Sequence, residues 1–260
     1  MLREARRQKR LAVADLPKVC ILDPDGDILR NLKRSGKAKR FDAWPCYHTD
    51  LYVFRLAGEI VGIVGCVVGA SFAVLVAEEL AACGCQCIIS LTSAGQILPA
   101  GKPPYFVVIE RALRDEGTSH HYAEPSRFAE ADPDLVSKVV NALRDENLNA
   151  VVGASWTTDA PFRETVEAIE GARREGILAV EMEAAALYAF AQARSVPLLC
   201  LAHVTNTMGQ IEVDFEKGEA DGTAEATKLI EVAIRAMRPR HSLSNSPCDV
   251  RNFPSLTSAT

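Results

Sequence analysis

Along most of this chain, short β-prone apolar runs end in turn-forming or polar residues and give way to stretches of helical periodicity, and few folds accept that alternation. Residues 19–22 (Val-Cys-Ile-Leu) run into Asp23-Pro24-Asp25-Gly26-Asp27, a dense set of turn formers, after which Ile28, Leu29 and Leu32 return at helical spacing. Residues 51–54 and 60–68 read as a hairpin turned at Ala57-Gly58-Glu59, and Gly69-Ala70-Ser71 opens a helix through Leu80. Further strands are expected at 86–91, 106–109, 150–155 and 198–204, and helices at 133–147, 164–176, 180–194 and 224–237. This order predicts a single α/β domain with a mixed central β-sheet flanked by helices on both faces.

In such sheets ligands collect beyond the carboxyl ends of the strands. Three polar clusters stand at those expected ends: Thr92-Ser93, Trp156-Thr157-Thr158-Asp159 and Thr205-Asn206. They are expected to converge on one site.

Composition narrows the partner. The 260 residues are 48% hydrophobic and 24% charged, enough for one well-formed core, and the net charge of -5 comes with no broad basic surface. A small molecule is expected, and nucleic acid is not. The apolar stretch 60–80 is broken by Gly62, Gly65, Gly69, Glu78 and Glu79, so no membrane span is expected. Those three glycines fall within an expected strand and miss the spacing of a dinucleotide fingerprint. The domain is expected over 17–238. A flexible basic start at 1–16, with too short an apolar run for a secretory signal, precedes it, and a flexible tail at 239–260 follows.

Eight cysteines, several within apolar runs (Cys66, Cys87, Cys200), read as small buried hydrophobes of a reducing, cytoplasmic protein. Cys83, Cys85 and Cys87 alternate along the start of a strand and cannot all face one metal, so no metal is expected. His120, His121 and the Cys46-Tyr47-His48 segment read as polar-loop surface. Arg114, Asp115 and Glu116 read as local salt bridges that fix a loop.

Chemistry concentrates in residues 179–188 (Ala-Val-Glu-Met-Glu-Ala-Ala-Ala-Leu-Tyr). Taken as a helix start, this segment puts Glu183 on one face with Leu187 and Phe190, while Glu181 points elsewhere. A carboxylate on an apolar face needs donors, which buried protein groups or the vicinal hydroxyls of a sugar supply. A first-turn glutamate favoured by the helix dipole is the plain alternative, and spacing alone slightly favours it.

The string Glu181-Met182-Glu183-Ala184 resembles the hallmark of the nucleoside phosphorylase family. Three further segments resemble the family in order and spacing: Val67-Val68-Gly69-Ala70-Ser71 ahead of Ala77-Glu78-Glu79-Leu80, then 114–119, then Thr157-Thr158-Asp159-Ala160-Pro161-Phe162. Together they cover roughly residues 17–237. Segment 114–122 and Val204-Thr205-Asn206 are most similar to the uridine phosphorylase branch.

The resemblance implies cleavage of the N-glycosidic bond of a nucleoside, with inorganic phosphate as co-substrate and no cofactor, giving free base and ribose 1-phosphate. It also implies a homo-oligomer, a dimer or a trimer of dimers, with His48 or the stretch 34–40 reaching a neighbouring site. Met182 and Glu183 would line the ribose, Glu183 accepting hydrogen bonds from its hydroxyls as oxocarbenium-like charge develops. Phe162 would stack on the base, and Thr157, Thr158 or Arg163 would read its edge. Asn206 stands where purine-cleaving members carry an acidic aspartate. An asparagine donates a hydrogen bond but not a proton, which favours a pyrimidine or a similarly acidic leaving group.

The phosphate region departs from the family. Asp23-Pro24-Asp25-Gly26-Asp27 replaces an early Gly-Asp-Pro-Asp-Arg turn, and Ile89-Ser90-Leu91-Thr92 lacks the arginine expected before the strand end. The remaining candidates for the phosphate or nucleophile pocket are Gly26, Arg30, Gly69, Thr92 and Ser93. Two alternatives therefore stay open. One is a phosphate-independent nucleosidase, its water oriented by Glu181, Glu183 or an early aspartate; the other is a non-catalytic nucleoside-binding protein.

Overall fold

The structure is a computed structural model and describes residues 2–207, 217 and 222–238. At its centre β1 (Val19–Asp23), buried at every residue, runs parallel to β4 (Glu59–Gly65) on one side and β5 (Cys87–Gln96) on the other. A strand covered on both faces has to be apolar throughout, and Val-Cys-Ile-Leu supplies that. β3 (Tyr52–Leu56) returns antiparallel on β4. The turn uses Ala57 and Gly58, with φ of 52° and 79°, the left-handed pair that matches a twisted two-residue hairpin. The short β2 (Lys39–Arg40) finishes that edge.

On the other side the sheet rolls up. β5 pairs with β10 (Leu198–Thr207), β10 with β6 (Tyr105–Asp115), β6 with β8 (Ala150–Thr158) and β8 with β9 (Ile177–Glu181). β9 then meets β5 again at Gly95 and Gln96, so five strands close a ring and β1, β4, β3 and β2 extend from it. A strand has only two edges. β10 takes one edge of β5, so β1 and β9 divide the other: β1 holds Cys87 to Ser90, and β9 holds Gly95 and Gln96. Between them Leu91 to Ala94 have neither neighbour on that edge.

Helices cover both faces. They are α2 (Asp27–Arg34), α3 (Ala70–Ala82), α4 (Pro133–Asp145), α5 (Val166–Arg174), α6 (Ala184–Arg194) and α7 (Thr223–Met237). α4 starts where Asp132 caps the amides of Asp134 and Leu135 ahead of Pro133. α6 is buried from Ala184 through Phe190 and packs on α3, β6, β8 and β10; its alanines permit that close approach. Tyr188 pins it. The hydroxyl donates to the carbonyl oxygen of Ile109 (2.5 Å) and accepts from the amide of Cys200 (3.0 Å), bridging β6 and β10 where their pairing ends.

Several expectations are corrected. The helix expected over 180–194 is β9 followed by α6, because residues 177–181 are needed to close the ring between β8 and β5. Glu183 accordingly precedes α6 instead of sharing a face with Leu187 and Phe190. β5, β6, β8 and β10 all run past their expected ends, and Thr92, Ser93, Trp156 to Thr158, Thr205 and Asn206 lie inside strands. Apart from Thr205, at a bulge in β10, their backbones are paired within the closed ring, a long-range effect that local polarity does not report. The start, expected to be ragged, forms α1 (Leu2–Lys9) between residues 1 and 16. Ala5 is buried there, Arg6 donates to Cys83 Sγ, Lys9 donates to the carbonyl of Cys46, and Gln8 accepts from Tyr47. The expected tail at 239–260 lies outside the described residues.

Tyr188→Phe leaves a buried carbonyl and a buried amide unpaired. It is expected to cost about 1–3 kcal/mol of stability, read as a lowered Tm in calorimetry with an unchanged far-UV circular dichroism spectrum.

Candidate active site

The gap in β5 is the candidate site. On its β1 flank the chain leaves the strand through Asp23 to Asp27, and on its β9 flank it leaves through Glu181 to Glu183. Thr92 and Ser93 line the gap itself, and Gly69, at the start of α3, closes toward Glu183.

Glu181 is the structural node. Its Oε1 accepts from Ser155 Oγ (2.9 Å) and Thr157 Oγ1 (2.5 Å), and its Oε2 accepts from the amides of Glu183 and Ala184 (2.7 Å each). Two orphan amides at the start of α6 are thereby satisfied and tied to β8. Thr157 Oγ1 in turn accepts from the Ala185 amide.

Glu183 is different. Its Oε1 accepts one bond, from the Gly69 amide (2.7 Å), and its Oε2 has no partner although the residue is only 1% exposed. Burial, then the adjacent charge of Glu181, push its pKa up to about 8 against the Gly69 amide and the Thr92 hydroxyl, which favour the charged form, with the charge of Asp25 adding to the rise. Burial raises Glu181 too, but four donors oppose the rise. Of the two carboxyls Glu183, with fewer donors, is therefore the one that holds a proton more readily.

The early turn supplies three aspartates in three roles. Asp23 is buried and accepts from the Leu29 amide (2.9 Å); burial drives its pKa to about 7. Asp27 accepts from Arg30 and pairs with Lys217. Asp25 reaches across the gap, where its Oδ2 accepts from the Ser93 amide (2.7 Å) and its Oδ1 from Ser93 Oγ (2.8 Å). Gly26 has φ of 75°, and a Cβ there would lie 2.7 Å from Cys66 Sγ, so a side chain is excluded where the turn passes the loop after β4. His203 on β10 joins these groups in one small cavity. It stacks on Phe106 with centroids 4.6 Å apart, and burial, then Lys217, hold its pKa below the ordinary histidine value.

Met182 is half-buried beside Glu183, and Thr92 is buried in the gap. Thr158 is buried, its hydroxyl accepting from the Ala160 amide (3.1 Å). Asn206 is half-buried at the end of β10, paired in register with Gly95, and its Oδ1 accepts from Thr205 Oγ1 (3.3 Å). Phe162 lies on the short 3-10 turn Pro161–Arg163, 99% exposed, and Arg163 is exposed beside it. Neither is packed into the gap. Arg30, expected as an oxyanion partner, is held on Asp27 instead.

Arg114 does not salt-bridge its neighbours as expected. It is buried and donates to Ser119 Oγ, Ser126 Oγ and the carbonyl of Glu124, while Asp115 accepts from the indole of Trp156 and Glu116 from the amides of Thr118 and Ser119. These bonds hold the end of β8 against that loop. The sequence reading missed Asp25 as a partner of Ser93, and it missed His203. The signal for the histidine was a polar residue within the apolar run of β10; for the aspartate it was only the density of acids. Among the described residues no cluster of three or more His, Cys, Asp or Glu is arranged to hold a metal, and no helix is long and apolar enough to cross a membrane.

A closed ring of strands with a polar gap flanked by an aspartate turn and a buried glutamate defines an α/β protein built for a small polar ligand. The chain belongs to the phosphorylase superfamily, whose model matches residues 18–238. It is 28% identical to a guanosine phosphorylase of Halorubrum lacusprofundi over 172 residues, covering 65% of this chain and 70% of the relative. It is 26% identical to a uridine phosphorylase of Thermococcus kodakarensis over 204 residues, 70% of each chain. The crystal structure of purine nucleoside phosphorylase from Toxoplasma gondii in complex with immucillin-H superposes with a TM-score of 0.74 at 18% identity, over 88% of this chain and 93% of that one. The single α/β domain with a mixed sheet is the fold of that neighbour.

Protonated Glu183 has a consequence for stability. A carboxyl whose folded pKa is raised from 4.5 to about 8 stabilises most below the lower value, and the contribution is lost as pH rises through the upper one. Asp23 acts in the same sense up to about 7. Thermal unfolding followed across that range should give a Tm that declines with rising pH, and a shallower decline in Glu183→Gln. An identical slope in the two proteins would put the proton elsewhere.

Proposed function

We propose that this protein cleaves the N-glycosidic bond of a nucleoside by phosphorolysis, releasing the free base and ribose 1-phosphate. The observation that carries the reading is Glu183 Oε2, a buried carboxyl oxygen without a protein partner beside the gap in β5. A buried polar atom left unpaired is costly, and the vicinal hydroxyls of a ribose supply what it lacks. Bound hydroxyls donate to the carboxylate, so substrate binding draws Glu183 toward its charged form, and that charge stabilises the oxocarbenium-like ribose as the bond breaks. Membership of the phosphorylase superfamily supports the same chemistry.

In this reading Met182 lines the sugar and Thr158 the base side. Asn206 donates to the leaving base. Phe162 and Arg163, exposed in the free protein, fold over the base once it is bound. Phosphate is a co-substrate and no cofactor is required. The protein works in the cytoplasm as a homo-oligomer of dimers, with His48 and the stretch 34–40, exposed at His48 and Arg40, facing a neighbour.

One observation favours a second reading. Asp25 already holds the amide and hydroxyl of Ser93, groups suited to an oxyanion, and a carboxylate there suits water as nucleophile better than phosphate.

Base release from a panel of purine and pyrimidine nucleosides, with and without phosphate, separates the two. Phosphate-dependent release is expected, with kcat lowered about 100-fold or more in Glu183→Gln. Release without phosphate would make the enzyme a nucleosidase, and no release from any nucleoside would leave a binding protein.

A further inference from the structure

Ser93 lies in the stretch of β5 that has neither β1 nor β9 on its open edge, so its amide is a donor the sheet leaves for other partners. Beside a hydroxyl on the same residue it forms a two-point cradle for an anion. In this protein the cradle is filled from within. Both oxygens of Asp25 are engaged, one by the amide at 2.7 Å and one by the hydroxyl at 2.8 Å.

Arg30 and Lys217, the basic residues of this corner, both pair with Asp27. Asp23, Asp25 and Asp27 converge on the same cavity as Ser93 and His203. His203 is buried against Phe106, an environment that disfavours its charged form, so it does not offset the carboxylates. An incoming phosphate must displace Asp25 from both donors and then lie beside the carboxylate it has displaced.

We propose that Asp25 is an internal competitor for the oxyanion cradle of Ser93 and so determines how well this enzyme takes inorganic phosphate. The proposal rests on reading the gap in β5 as the nucleophile side of the site. It does not depend on which nucleoside is cleaved. The competition is geometric as well as electrostatic, since one carboxylate uses both donors that a phosphate oxygen pair would use. Removing the side chain leaves the amide and hydroxyl vacant and takes one negative charge from the cavity.

The test is isothermal titration of inorganic phosphate into the wild type and Asp25→Ala, with the Ser93 amide followed by 15N NMR. Phosphate is expected to bind the variant about tenfold or more tightly than the wild type, and the Ser93 amide is expected to be the resonance that moves. Equal or weaker binding in the variant would overturn the proposal, as would tighter binding that leaves Ser93 unmoved. If Asp25→Ala fails to fold, Asp25→Asn takes its place; its neutral amide should tighten phosphate about threefold, and no gain would be decisive against the idea. Nucleoside turnover is measured in parallel. Tighter phosphate binding without turnover of any nucleoside in any of the proteins sinks the phosphorolysis reading and leaves Asp25 as the competitor.

Discussion

β5 cannot be paired along its whole length on both edges, and the candidate site exists because of that constraint. β10 occupies one edge, while β1 and β9 share the other and diverge around Leu91 to Ala94. The divergence leaves a hole in an otherwise continuous hydrogen-bonded wall. It also brings two chain segments that are distant in sequence, the turn after β1 and the strand-to-helix step after β9, to opposite sides of one strand. Ligand sites at such switch points follow from backbone topology before any side chain is considered.

The two glutamates at that step divide their duties by how many donors reach each. Glu181, with two hydroxyls and two helix amides, holds β8, β9 and α6 together. Glu183, two residues on, receives a single backbone bond and keeps an oxygen without a partner. An anchored negative charge so close is part of what makes Glu183 reluctant to ionise, second only to its burial. The donor-rich Glu181 and the donor-poor Glu183 therefore act on one another's ionisation. Tyr188, one turn further along α6, fixes the helix to β6 and β10, so the position of Glu183 is set from both ends of the segment.

The acidic turn divides its duties in a similar way. Asp23 caps the start of α2 from below, Asp27 gathers the local cations, and Asp25 spans the gap to Ser93. Three like charges in five residues would repel one another in a free peptide. In the fold, burial of Asp23, cation pairing of Asp27 and the two donors of Ser93 give each a separate means of support. At this corner the carboxylates are balanced by backbone and hydroxyl donors as well as by the cations on Asp27.

The alternation of apolar runs with helical periodicity determined the α/β class by itself, because burial of both faces of β1 and the turn at Asp23 to Asp27 are local demands. The string Glu181 to Ala184 likewise carried the family resemblance from residue identity alone. What the sequence could not carry was pairing. That residues 177–181 form a strand depends on β5 and β8, and that Ser93 lies inside β5 depends on β10, partners far away along the chain. The role of Asp25 depends on the same fact: its carboxylate meets Ser93, 68 residues on, only after β1 and β5 have paired. Local chemistry set the fold class and most of its elements; tertiary structure alone decided which donors each carboxylate meets, because hydrogen bonds between strands are chosen by register in three dimensions and leave no periodicity in the chain.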